Sequence, residues 1–275
     1  MAEILEPLQY GFIQRALAGA LLVALVCGTI GVFVVLRGLA FLGDAIAHAA
    51  FPGVVLAFLL RIDLVVGGTI AAVGGALAMG TLARRTGLRE DTAIGVVFSG
   101  MFALGVVLFS GIARYTGDLL GVLLGNVLGI GEGQLAVIAA VAALILAVLW
   151  VLWKELVFVS FDPTGAAAAG LRVTLYDALL LGLIGLTIAV SIQVVGIVLV
   201  VAMLVTPPAT ARLLARDLRS MVVLSLAFAF LAALTGIYAS YYLNSASGGT
   251  IVLAATALFA LVWVGRSART RFAAS

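Results

Sequence analysis

The stretch Phe41-Leu42-Gly43-Asp44-Ala45-Ile46-Ala47-His48-Ala49-Ala50-Phe51-Pro52-Gly53-Val54-Val55-Leu56-Ala57-Phe58-Leu59-Leu60 decides how the whole chain is read. An apolar run of this length crosses the ~30 Å of a bilayer's hydrocarbon as a helix. Yet it holds a carboxylate and an imidazole, and His48 is the only histidine among 275 residues. In a helix the i,i+4 spacing stacks Asp44 and His48 on one face, one turn apart. Charge at that depth is costly, so an ionisable residue there is a functional hypothesis by default. A carboxylate and an imidazole that converge supply half of a site for a divalent transition metal.

Outward from this run the same texture continues. The chain is 65% hydrophobic and 10% charged, with a mean hydropathy of +1.32. A soluble domain carries about 25% charged residues, so an integral membrane protein is expected. A barrel would show alternating strands of about ten residues; here the apolar runs are continuous, and the fold class is all-α and polytopic. Spans are predicted over 12–36, 41–60, 64–82, 92–112, 135–153, 174–193, 195–208, 221–242 and 249–265. The seventh is short and closed by Pro207-Pro208, so the count is eight or nine. Leu119–Ile130, with Gly121, Gly125 and Gly129 spaced by four, reads as a short helix packing inward. The 32 glycines and many alanines suit close-packed membrane helices. Cys27, the single cysteine, permits no internal disulfide and reads as a small buried apolar residue. The acidic start, Met1 to Glu6, lacks the basic opening of a signal peptide, so the first span is expected to be retained.

Loop charges set the orientation. One set of loops holds Arg37, Arg84, Arg85, Arg89, Lys154, Arg172, Arg212, Arg216, Arg219, Arg266, Arg269 and Arg271, against Arg15, Arg61 and Arg114 on the other side. That bias places the first set in the cytoplasm, the N-terminus outside and the C-terminus inside. The outer side carries Glu3, Glu6, Asp63, Asp118 and Glu132, as solvated loop charge or as a docking and cation-enriching surface. No Gly-x-x-x-x-Gly-Lys-Ser/Thr phosphate loop occurs, so ATP-driven transport would need another chain. The net charge of +3 is no nucleic-acid signal. Residues 1–275 read as a single transmembrane domain with a cytoplasmic segment near 154–173.

Within that segment, Phe161 to Leu171 reads as a short helix: Asp162 as N-cap, Pro163 at the first position, alanines propagating and Gly170 ending it. So short a helix does not form alone in water. It is either a structural connector or a docking helix for a cytoplasmic partner.

Four segments in order resemble the permease subunits of ABC importers for zinc, manganese or iron. They are Val35 to Gly53, with Arg37, then Gly43-Asp44-Ala45, then Ala47-His48-Ala49, then Pro52-Gly53; Glu90 to Phe98; Phe161-Asp162-Pro163 with Gly170-Leu171; and Val195 to Leu204, continuing through Pro207 to Leu214. The resemblance covers about 15–265 and extends in architecture to the cobalamin and siderophore permeases, without their extra first span. It implies a bacterial inner-membrane homodimer of permeases, two cytoplasmic ATPase subunits and an extracytoplasmic metal-binding protein. It also implies that Asp44 and His48 are the intramembrane metal pair. The segment with Asp162, Pro163, Thr164, Gly165, Gly170 and Leu171 becomes the region contacting the ATPase. No permanently bound cofactor and no catalytic residue is implied.

The chemistry agrees with a conduit. Imidazole suits zinc, manganese(II) and iron(II), and a carboxylate tolerates harder ions. A structural zinc site uses four protein ligands and holds its ion, whereas a path must release it. Against this stands a buried histidine with Asp44 as a helix cap. Pro52 and Gly53 are candidates for loosening the helix where it gates, and Pro207-Pro208 for breaking the seventh span. Glu90-Asp91 should start the fourth span, complementing its positive end. An intramembrane metalloenzyme would need a further ligand and an acid/base. A proton- or sodium-driven transporter using Asp44 and His48 as a relay is the other transport reading; inverted repeats and further intramembrane carboxylates, which would favour it, are not evident.

Overall fold

The structure, a computed structural model, describes residues 6–111 and 129–273. After a short 3-10 turn at Pro7–Gln9, the helices are α1 (Gly11–Leu36), α2 (Ala40–Ala49), α3 (Phe51–Leu60), α4 (Leu64–Thr86) and α5 (Glu90–Ser110). They continue as α6 (Glu132–Val151), α7 (Trp153–Phe161), α8 (Pro163–Ala168), α9 (Val173–Leu214), α10 (Leu218–Leu243) and α11 (Ser247–Ala273). Among the described residues nine stretches are long and apolar enough to cross a membrane; α2 with α3 makes one, and α9 makes two, Val173–Ile192 and Val195–Leu214. Most of Leu119–Ile130, and Asp118, lie outside the described residues.

Two compact units share the chain: one holds α1, α10, α11 and α9 from Val194 onward, the other α2 to α5, α7, α8 and α9 up to Gln193. In the first unit, small residues let backbones meet. A Cβ on Gly31 of α1 would collide with the Leu204 carbonyl and Pro208 of α9. Ser225 Oγ of α10 donates to the Gly28 carbonyl at 2.7 Å, and the backbone at Ile251 of α11 leaves no room for a Cβ on Gly236. Cys27 is buried within α1. α10 starts at Asp217, whose carboxylate accepts the Ser220 N–H at 2.7 Å in a capping box. The backbone and hydroxyl hydrogen bonds from Ser220 hold the Asp217 carboxyl below its usual value. The cap is therefore intact above the ordinary carboxylate range and is lost as pH falls through the lowered value.

The seventh span corrects one expectation. Helix α9 runs on through Pro207 and Pro208 to Leu214, so the span does not end there. Pro208 has no N–H to give the Leu204 carbonyl, and the freed oxygen lies where Gly31 presents no side chain. The helical geometry fails instead at Gly196, φ 76° and ψ 167°, a conformation open to glycine.

In the second unit the tightest crossing is α3 on α4. A Cβ on Gly53 would strike the Gly67 carbonyl and Ala71, and one on Gly67 would strike the Gly53 carbonyl and Ala57. From α5, a Cβ on Gly105 would strike the Phe51 ring and come within 3.1 Å of the Pro52 nitrogen. Asp63 caps α4 by accepting the Val65 and Val66 N–H groups at 2.8 and 3.2 Å, which gives this loop acid a structural role. In the first unit, Glu132 lies 3.9 Å from Arg15 Nη1, both side chains being exposed.

Candidate metal site

Asp44 and His48 stand in the middle and last turn of α2, and His48 Nε2 lies 3.6 Å from Asp44 Oδ1. That gap is wider than a hydrogen bond: the pair converges without closing on itself. Asp44 does not cap the helix. Leu39 holds the cap position, and α2 begins at Ala40.

The helix is covered unevenly. Ala45, Ile46, Ala47 and Ala49 have no exposure, while the side chains of Asp44 and His48 are 39% and 34% exposed. Phe41, half exposed, stands on the same stripe at i−3 from Asp44. The polar atoms of this span thus lie on the least covered face of α2.

Aromatic rings of α5 fix the imidazole from the side. His48 meets Phe98 and Phe102 edge-on, with ring centroids 5.7 and 5.5 Å away and interplanar angles of 69° and 85°. Phe98 and Phe102 stack on each other at 6.0 Å and 16°. Each such contact contributes about 0.5–1.5 kcal/mol beyond area burial, enough to bias the rotamer. Phe41 flanks Phe98 at 6.2 Å, and Phe51 meets Phe102 and Phe109 at 6.0 and 6.2 Å. The i,i+4 spacing of Phe98 and Phe102 puts both rings on one face of α5, which is as far as the sequence goes towards this packing.

Pro52 ends α2 as a separate helix, because it has no N–H for the His48 carbonyl; α3 restarts at Phe51. Pro52 and Gly53 are buried at the crossing with α4 and α5. Among the described residues no group of three or more His, Cys, Asp or Glu side chains comes together. Asp44 and His48 therefore offer two donors, short of the four of a structural zinc site.

The 162–171 segment forms α8 and its two ends in the same unit. The Asp162 carboxylate accepts the Gly165 N–H at 2.8 Å, and a Cβ at Gly165 would run into that carboxylate. Gly170 turns the chain at φ +86°, and Leu171 N–H closes back on the Ala166 carbonyl at 3.0 Å. Ala166 is fully buried while Pro163, Thr164, Ala167 and Ala168 stay exposed. Phe161 belongs to the preceding helix α7, not to α8. Pro207 and Pro208 lie in the other unit.

One further pair escaped the sequence. Arg37, ahead of α2, donates from Nη2 to Asp177 Oδ1 of α9, 140 residues away. Their side chains are 16% and 19% exposed.

A family model described as the ABC 3 transport family matches residues 9–265. The chain is similar to the manganese transport system membrane protein MntC of Halalkalibacterium halodurans, 42% identical over 94% of this chain and 88% of that one. It is also similar to the chelated iron transport system membrane protein YfeD of Yersinia pestis, at 38% identity over 95% and 88%. Among solved structures, PsaBC from Streptococcus pneumoniae in complex with Fab superposes with a TM-score of 0.83, at 38% identity over 95% of both chains. The match runs through the α2 pair and the α8 segment alike, and this multi-pass membrane protein belongs to the ABC 3 transport family.

Proposed function

We propose that the chain is the permease of an ATP-driven importer that carries a divalent transition metal, manganese or iron, into the cytoplasm between two copies of itself. The observation that carries this reading is the Asp44–His48 pair, two converging donors on the least covered face of an otherwise apolar span. A second copy presenting the same face brings the donors to four while leaving each half-site free to let go. The relatives named for manganese and iron transport support the cargo class, and the donor set suits manganese(II), iron(II) and zinc(II) alike.

The energy comes from a separate cytoplasmic ATPase pair, which docks on the exposed side of α8. An extracytoplasmic protein delivers the ion. The N-terminus lies outside and the C-terminus inside, as the arginine-rich loops require, and both units act together as one permease domain. Asp162→Ala removes the cap of α8, at a cost of about 1 kcal/mol to so short a helix. Uptake is expected to drop a few-fold, with manganese binding to the permease unchanged.

The test is uptake of radiolabelled manganese in cells expressing the chain with and without its ATPase, challenged with excess zinc or iron(II). Uptake that needs the ATPase and is displaced by the preferred metal supports the reading. Uptake without any ATPase, collapsing with the proton gradient, makes Asp44 and His48 a relay in a secondary transporter.

A further inference from the structure

Arg37 and Asp177 join two parts of the second unit that the transport role would need to move together. Arg37 stands seven residues before Asp44, with Gly38 turning the chain at φ +74° between them. Asp177 lies in the second turn of α9, which follows α8 after only the turn around Gly170. From α8 to the metal pair the path is thus one turn, the first turns of α9, one ion pair and about two turns of α2, some 10 Å of helix rise.

The surroundings suit a joint that carries force. Arg84 at the end of α4, Glu90 at the start of α5, and Met79 and Leu181 line the same small cavity as the pair, about 50 Å³, room for a few waters. The ends of four helices meet at this point: α2, α4, α5 and α9. Apolar contacts between helices slide, whereas a charge-assisted hydrogen bond resists displacement along its axis. Stability does not explain the pair, because a largely buried ion pair is often no better than apolar side chains of the same volume. Glu90 lines the same cavity as Arg37, so a second carboxylate faces that space when Asp177 loses its charge.

We propose that the Arg37–Asp177 ion pair is the strut that transmits movement of α8 to the helix bearing Asp44 and His48. The proposal rests on the transport role above, and both residues are positioning residues that do not touch the ion.

The experiment uses the complete transporter, permease with its ATPase, in proteoliposomes supplied with manganese-loaded binding protein. Manganese imported and ATP hydrolysed are measured together for wild type, Asp177→Asn, Arg37→Lys and the exchange Arg37→Asp with Asp177→Arg. Asp177→Asn, nearly isosteric, should keep hydrolysis within about twofold while import per ATP falls by about tenfold, within the usual range of coupling between sites. Arg37→Lys keeps the charge and should retain most of the ratio; the exchange should recover part of it. An unchanged ratio in Asp177→Asn, or import and hydrolysis falling in parallel, overturns the strut. An Asp177→Asn chain that fails to assemble also overturns it, since the pair is then a folding element. No manganese import by the wild type overturns the transport reading and the strut with it, whereas wild-type import with an unchanged variant ratio removes the strut alone.

Discussion

Manganese uptake falls at least about tenfold in cells carrying His48→Ala or Asp44→Ala, at unchanged membrane abundance, the effect of losing ~1.4 kcal/mol or more of ion stabilisation. Each substitution removes one of only two donors, and none nearby replaces it: among the described residues no third metal-type side chain joins the pair. The loss is not one of folding. Both side chains are more than one third exposed, and Asp44 caps nothing. His48→Ala forfeits the edge-on contacts with Phe98 and Phe102, a cost of about 1 kcal/mol each that leaves the helix crossings untouched. Asp44→Asn, which keeps shape and removes charge, should fail nearly as badly. Normal uptake by both alanine variants would sink the site.

The second large effect is on assembly of the second unit. Gly53→Ala should sharply reduce the amount of chain in the membrane and lower the unfolding temperature of what is purified. The added methyl group meets the Gly67 carbonyl and the Ala71 methyl group, and backbone on a neighbouring helix cannot step aside as a flexible side chain can. Overpacking of this kind costs about 1–3 kcal/mol and sometimes more. The α3–α4 crossing also sits directly beyond His48, so a shift there displaces the helix that carries Asp44 and His48. Gly74→Ala on α4 is the control: nothing stands within 4 Å of its added Cβ, and helix propensity favours alanine by about 1 kcal/mol. Equal abundance of the two variants would show that close approach at Gly53 does not matter.

Most of the fold was legible because each span is a continuous apolar run, and the bilayer fixes how long such a run must be. The spacing of Asp44 and His48 likewise put them on one face without any structure. Pro207-Pro208 misled. A proline pair removes two hydrogen bonds but does not stop a helix whose freed carbonyl meets a glycine, here Gly31, and that partner lies far off in sequence. The interruption at Gly196 hides among flanking valines and isoleucine that look helical. Helix α7 is hard to see in the sequence because its residues mix Lys154 and Glu155 with apolar ones in no clean period. Phe98 closes the segment that begins at Glu90 and Phe102 lies one turn further on, but nothing local says that their rings touch an imidazole on another helix. The Arg37–Asp177 contact, 140 residues apart, is a property of the packing alone: Arg37 reads as loop charge, and Asp177 disappears into an apolar span.

The proposed transport route rests on a metal half-site on each chain, completed by a second copy. Its most direct test is a manganese(II) titration of the purified permease, following the paramagnetic resonance signal of the free ion. One manganese should bind per two chains, with binding lost in His48→Ala and in Asp44→Ala. One manganese per chain, or a stoichiometry that survives both substitutions, would contradict it.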